Sequence, residues 1–107
     1  MELNWLYLFV AILFEVAGTM SMKFSEGFTK LLPSVMIFVC YAIAFTFVTF
    51  AIRKIEISVA YTVWSGVGTT LVAMIGIMYF GEQATAFKLA SIALVIAGVV
   101  GLKISAG

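Results

Sequence analysis

The sequence predicts an all-α membrane protein with four transmembrane helices in each protomer, and three observations carry that expectation. Of 107 residues, 64% are hydrophobic and only 10% charged, a make-up that a small soluble domain, with much of its surface wet, cannot sustain. The apolar residues gather in four runs, Leu3 to Met22, Leu31 to Ala51, Ile57 to Phe80 and Ala86 to Ile104. Each run has about the 20 residues a helix needs to cross roughly 30 Å of hydrocarbon. The connections are short, so sequential helices become antiparallel neighbours in a single domain, 1–107, with no room for a soluble insert.

The first span carries Glu15, the only acidic residue inside any of the apolar runs. An ionisable side chain at membrane depth is costly unless it lines a cavity or finds a partner, so it marks a pathway for ions or substrates. Helical spacing puts Leu8, Ala11, Gly18, Thr19 and Met22 on or near its face, with small residues leaving room beside the carboxyl. Gly18 also fits close helix packing, and a structural Glu15 bonded to Thr19 is the bland alternative. This run is too long for a signal-peptide core and lacks a basic flank before it, so it is expected to be retained.

Gly27 suits the turn that follows, and Pro33 falls in the first turn of the second span, where its missing N–H is tolerated. That span offers Tyr41 with Ala44, Phe45 and Val48 on one face, and a lone Cys40 expected to pack. The third span offers Tyr61, Trp64, Ser65 and Gly68. Aromatic faces attract cations, more strongly where water is excluded, so an aromatic box with one carboxylate suits lipophilic or quaternary cations. Gly66 and Gly68 mark either a hinge or a close approach of a neighbouring helix. In the fourth span Ser91, Ala97 and Gly98 interrupt an aliphatic run, the pattern of an association surface. Trp5, Tyr7 and Tyr79 stand near span ends, where aromatic anchors collect.

With no His and one Cys, zinc sites and His-based catalysis are excluded, and no phosphate-binding glycine loop opens a helix. No catalytic or metal site and no cofactor is expected. A net charge of +1 provides no basic stripe for nucleic acid.

Lys23, Lys30 and Lys88 flank one side of the membrane, and Arg53, Lys54 and Lys103 the other. Orientation follows an imbalance of Lys and Arg, and a tie of three against three removes the instruction, so insertion both ways round is expected. Four short helices leave no space for a substrate cavity within one protomer, so a transporter needs at least a dimer. An antiparallel dimer would supply by association the inverted repeat that larger transporters encode in one chain.

The strings Phe14-Glu15-Val16-Ala17-Gly18-Thr19, Met22-Lys23-Phe24-Ser25-Glu26-Gly27-Phe28-Thr29 and Ala60-Tyr61-Thr62-Val63-Trp64-Ser65-Gly66-Val67-Gly68 resemble the small multidrug resistance transporters over essentially the full chain. The resemblance implies a bacterial inner-membrane antiparallel homodimer exchanging protons for small organic cations, both competing for Glu15. It places the substrate-facing aromatics on Tyr41, Tyr61 and Trp64, Trp5 near the pocket mouth, and the fourth-helix dimer contact on the Ser91 to Gly98 region. Gly18-Thr19 is similar to the quaternary-ammonium and multidrug branch, whereas guanidinium exporters usually carry Trp at the Gly18 position. Ala44 stands where both branches often have Ser. Glu56 and Ser58 replace a common Gly and Pro, as in subfamilies that work as two-gene pairs or handle polyamines.

The alternatives are therefore a guanidinium- or polyamine-type exporter, half of a paralogous pair, or a non-transporting accessory or lipid-carrier flippase subunit. Relatives of that last kind tend to lack the first-span carboxylate. For topology, an impermeant label on each loop is expected to react from both faces of the cell membrane; reaction of each loop from one face alone would overturn dual insertion.

Overall fold

The computed structural model describes residues 3–106. Among these residues there are four helices and no strand: α1 (Leu3–Ser25), α2 (Leu31–Ala51), α3 (Ile57–Met78) and α4 (Ala86–Ala106). All four are long and apolar enough to cross a membrane. Three ends differ from the apolar runs. Helix α1 continues to Ser25 rather than stopping at Met22, with the Lys23 ammonium 5.6 Å from the centre of the Phe80 ring. Helix α3 stops at Met78 because Tyr79 and Phe80 turn their N–H groups back onto the Ile75 carbonyl and Gly81 takes φ +72°, a left-handed stop that glycine adopts freely. Helix α4 runs beyond Ile104, and Lys103 lays its ammonium 4.6 Å over the Trp5 ring.

The α1–α2 turn is tighter than a single glycine would require. Glu26, Gly27 and Phe28 all have positive φ (49°, 73° and 67°), which costs the two L side chains but not the glycine. Buried Ser25 holds the turn. Its Oγ donates to the Met22 carbonyl at 2.8 Å and accepts the Phe28 N–H at 3.2 Å. Its carbonyl accepts from the Thr29 and Lys30 N–H groups at 2.9 and 3.2 Å. On the exposed side Lys30 bonds Glu26 at 2.6 Å; that hydrogen bond, and then the lysine's charge, hold the glutamate below the usual carboxylate range. An exposed pair of this kind adds little stability.

Helix α1 is the centre of the protomer, packed most extensively on α2 and also on α3, while α4 leans chiefly on α3. The result is a slab of 43 × 35 × 19 Å. Lipid tails are as apolar as leucine, so helices associate in a membrane by close packing rather than by escape from water. The core reflects this. Ala11, Ala44, Ala51 and Ala60 are each 0% exposed, letting neighbouring backbones approach. Leu8, Ile12 and Val16 of α1, Val48 of α2, Ile55, and Val59 and Val63 of α3 fill the space around them, and Cys40 is buried as a packing residue.

Most of this cluster lies toward the α2–α3 turn, where α1 and α3 begin and α2 ends. Helix α4 has no buried residue among those described, and it approaches α3 where a side chain on Gly66 would collide with Val99. Helix α3 is continuous through Gly66 and Gly68.

Enlarging a fully buried alanine should be costly. Ala60→Leu is expected to destabilise the protomer by about 1–3 kcal/mol through overpacking, and Ala42→Leu, on the exposed face of α2, by no more than about 0.5 kcal/mol. Unfolding in mixed dodecyl maltoside and SDS micelles measures both; equal shifts would refute a core organised around buried alanines.

Candidate functional site

Glu15 is half-buried on the α1 face that meets α2 and α3. One helical turn on, the Thr19 hydroxyl reaches both the Glu15 carboxylate Oε1, at 3.2 Å, and the Glu15 carbonyl, at 3.1 Å. The other carboxylate oxygen lies against α3: a Cβ on Gly68 would be 3.0 Å from Oε2. The α3 backbone itself forms that wall, and a side chain at position 68 would press on the carboxyl.

Tyr41 extends this network from α2. Its hydroxyl is 2.8 Å from Thr19 Oγ1. While the Thr19 proton points at Glu15, the Tyr41 O–H is the donor to Thr19; it can also turn to the Met22 sulfur at 3.7 Å. The ring lies flat on α1 because residue 18 has no side chain: a Cβ there would sit 2.5 Å from Tyr41 Cε1.

From Tyr41 an aromatic wall crosses to α3. Tyr41 meets Phe45 at 6.4 Å between ring centres, Phe45 meets Trp64 at 5.3 Å, and Trp64 meets Tyr61 at 5.9 Å, all near edge-to-face. Edge-to-face contacts leave ring faces available, and the faces carry the negative potential that draws cations. The wall and the carboxylate enclose a cleft of about 480 Å³, within the range of small-molecule sites. Its outer side is open, since Phe45 and Tyr61 are 53% and 62% exposed. The Trp64 indole N–H is buried without a hydrogen-bond partner among the described residues.

The structure thus brings Glu15, Thr19, Tyr41, Phe45, Tyr61, Trp64, Ser65 and Gly68 to one cleft, with Gly18 directly behind Tyr41. Leu8 and Ala11 do not line it. They are 1% and 0% exposed, because the α1 face turns into the α2–α3 seam below Glu15. Trp5 packs against the same core, under Lys103 and away from the cleft. Ser91, Ala97 and Gly98 are exposed on α4. Ala44 is fully buried rather than facing the cleft, so the missing hydroxyl there removes nothing from its lining. Thr69 and Val72 line the cleft and were not expected. The helical series 61, 65, 68, 69, 72 on α3 is the signal that finds them. The expectation that one protomer leaves no room for a cavity is corrected: the cleft belongs to one chain, although one chain does not close it.

Four membrane-crossing helices around a carboxylate and an aromatic cleft define a multi-pass membrane protein of the small transporter class. The family described as Small Multidrug Resistance protein matches residues 3–95, and the chain belongs to that family, whose members are bacterial inner-membrane transporters rather than enzymes. Relatives include the multidrug resistance protein EbrB of Bacillus subtilis, 46% identical over 91% of this chain and 83% of its own. The quaternary ammonium compound-resistance protein QacE of Escherichia coli is 40% identical over 94% and 92%. A guanidinium exporter of Citrobacter freundii is 35% identical over 96% and 98%.

Thr19 is the joint between carboxylate and aromatic wall. Thr19→Val keeps the shape and removes the hydroxyl, and it is expected to weaken tetraphenylphosphonium binding by about tenfold, the scale of a hydrogen bond to a charged group. Tryptophan quenching in detergent would report it; an unchanged affinity would separate Thr19 from the site.

Proposed function

We propose that this protein is a proton-coupled antiporter that exports lipophilic, quaternary ammonium and aromatic cations by alternating access. Glu15 is the shared site in this proposal: it holds a proton when the cleft is empty and gives it up when a cation arrives. The observation that carries the proposal is the pairing of one membrane-embedded carboxylate with an edge-to-face aromatic wall in a cleft of about 480 Å³.

The chemistry follows from that pairing. A quaternary ammonium has no N–H to donate, so a site that binds it must offer charge and polarisable surface rather than a hydrogen-bond pattern, and Tyr41, Phe45, Tyr61 and Trp64 offer such surface. Guanidinium is small, planar and rich in donors, and would leave much of this cleft unfilled. Gly18 supports the multidrug branch because the space Trp would need is taken by Tyr41. The higher identity to relatives named for multidrug and quaternary ammonium resistance than to the guanidinium exporter points the same way.

The working unit we propose is an antiparallel homodimer. The exposed outer side of the cleft and the unburied α4 leave surface for a second copy, with Ser91, Ala97 and Gly98 at the α4 contact and the outer cleft facing the partner. Gly66 and Gly68 would serve as the hinge. The presence of Glu15 weighs against a non-transporting accessory or flippase subunit.

Purified protein in proteoliposomes is expected to give a pH-dependent current on a tetrapropylammonium gradient, larger than on a guanidinium gradient, and Glu15→Gln is expected to abolish it. A current with guanidinium alone would move the protein to the other branch. Silence toward both would favour a paralogous partner or a role other than transport.

A further inference from the structure

The Glu15 cleft continues toward the membrane face that carries the α1–α2 and α3–α4 turns. Thr19, Thr69 and Val72 line both the cleft and a second groove of about 550 Å³, which ends among Lys23, Phe80, Glu82 and Lys88. At this mouth the chain places two groups that recognise cations, each already facing a cation of its own. The Phe80 ring has the Lys23 ammonium 5.6 Å from its centre. The Glu82 carboxylate faces the Lys88 ammonium at 3.7 Å, beyond the length of a direct charged hydrogen bond.

Glu82 does not point there by chance of a loose loop. Its N–H bonds the Gly76 carbonyl at 3.1 Å, across the left-handed Gly81. Its carboxylate folds back onto α3 over Gly76, where any side chain would collide with it. The backbone bond and the bare Gly76 let the carboxylate line the groove while its side chain stays about half exposed, open to a cation from solvent.

We propose that Glu82 and Phe80 form an outer cation subsite at this mouth, with Lys88 and Lys23 as tethered cations that hold it until an organic cation on its way to or from Glu15 displaces them. This rests on the export activity proposed above. In a mouth that also carries Lys23 and Lys88, the carboxylate offsets part of their repulsion and favours the approach of a cation, whereas a lysine beside it competes for the same carboxylate. The two partners of one ion pair therefore have opposite effects on transport, which a purely structural pair would not.

The test is tetrapropylammonium transport in proteoliposomes for wild type, Glu82→Gln, Lys88→Gln and the double variant. Glu82→Gln is expected to lower kcat/KM by about three- to tenfold through KM, with kcat unchanged, in line with loss of electrostatic steering. Lys88→Gln is expected to raise kcat/KM, and in the double variant that gain should vanish. A gain cannot come from misfolding, so Lys88→Gln keeps the test decisive even if Glu82→Gln is unstable. Equal losses in both single variants, or no change in either, would overturn the subsite while leaving export intact. A silent wild type would overturn the export proposal and the subsite with it.

Discussion

A carboxyl half-way along a membrane span is tolerable only if protein, not lipid, surrounds it, and much of this structure follows from housing Glu15. The burden is shared by three helices. Helix α1 contributes the Thr19 hydroxyl, α2 brings Tyr41 to that hydroxyl, and α3 presents bare backbone at Gly68. None of these groups carries a positive charge, so the carboxyl is hydrogen-bonded without a permanent ionic partner. A lysine or arginine in the same place would pair with it permanently. In the exchange proposed above, the lack of such a partner is what would leave the carboxyl open to a cation or a proton.

The second constraint is that α-helices in lipid have no water to escape. They cohere where small side chains let them touch, and here the fully buried alanines gather toward the α2–α3 turn, while the helices part around the cleft beside Glu15. The protomer is consequently uneven along its own axis, with most of its core cluster toward the α2–α3 turn. In a single chain the cleft continues as a groove toward the face of the α1–α2 and α3–α4 turns. An oppositely oriented second copy would restore the balance, which gives the proposed antiparallel dimer a physical purpose beyond closing the outer side of the cleft.

The four spans were legible in the sequence because length and hydropathy suffice to specify a helix in a bilayer, and the Glu15, Tyr41, Tyr61 and Trp64 cluster was legible because a lone carboxylate is conspicuous among apolar residues. Helical spacing alone was less informative about neighbours. Leu8 and Ala11 share a face with Glu15 on a helical net, yet the crossing of α1 with α2 and α3 carries them into the core. Spacing reports direction around one helix, whereas burial depends on where a second helix crosses it. For the same reason Ala44 could not be placed, and the neighbour that approaches Gly66 could not be named until Val99 was seen against it. The left-handed turn around Ser25 was also hidden: its hydrogen bonds converge on one serine, and no residue pattern advertises that.

The contact between Gly18 and Tyr41 bears on how such a chain could change its cargo over evolutionary time. Because the ring occupies the volume that any side chain at position 18 would need, the two positions cannot drift independently. A side chain at 18 obliges the Tyr41 ring to move, and that ring also carries the hydroxyl tied to Thr19. A change at one of these positions is therefore felt at the other, and through the Tyr41 hydroxyl at Thr19 and Glu15, so that the shape of the wall and the setting of the carboxyl are tied to a single missing side chain.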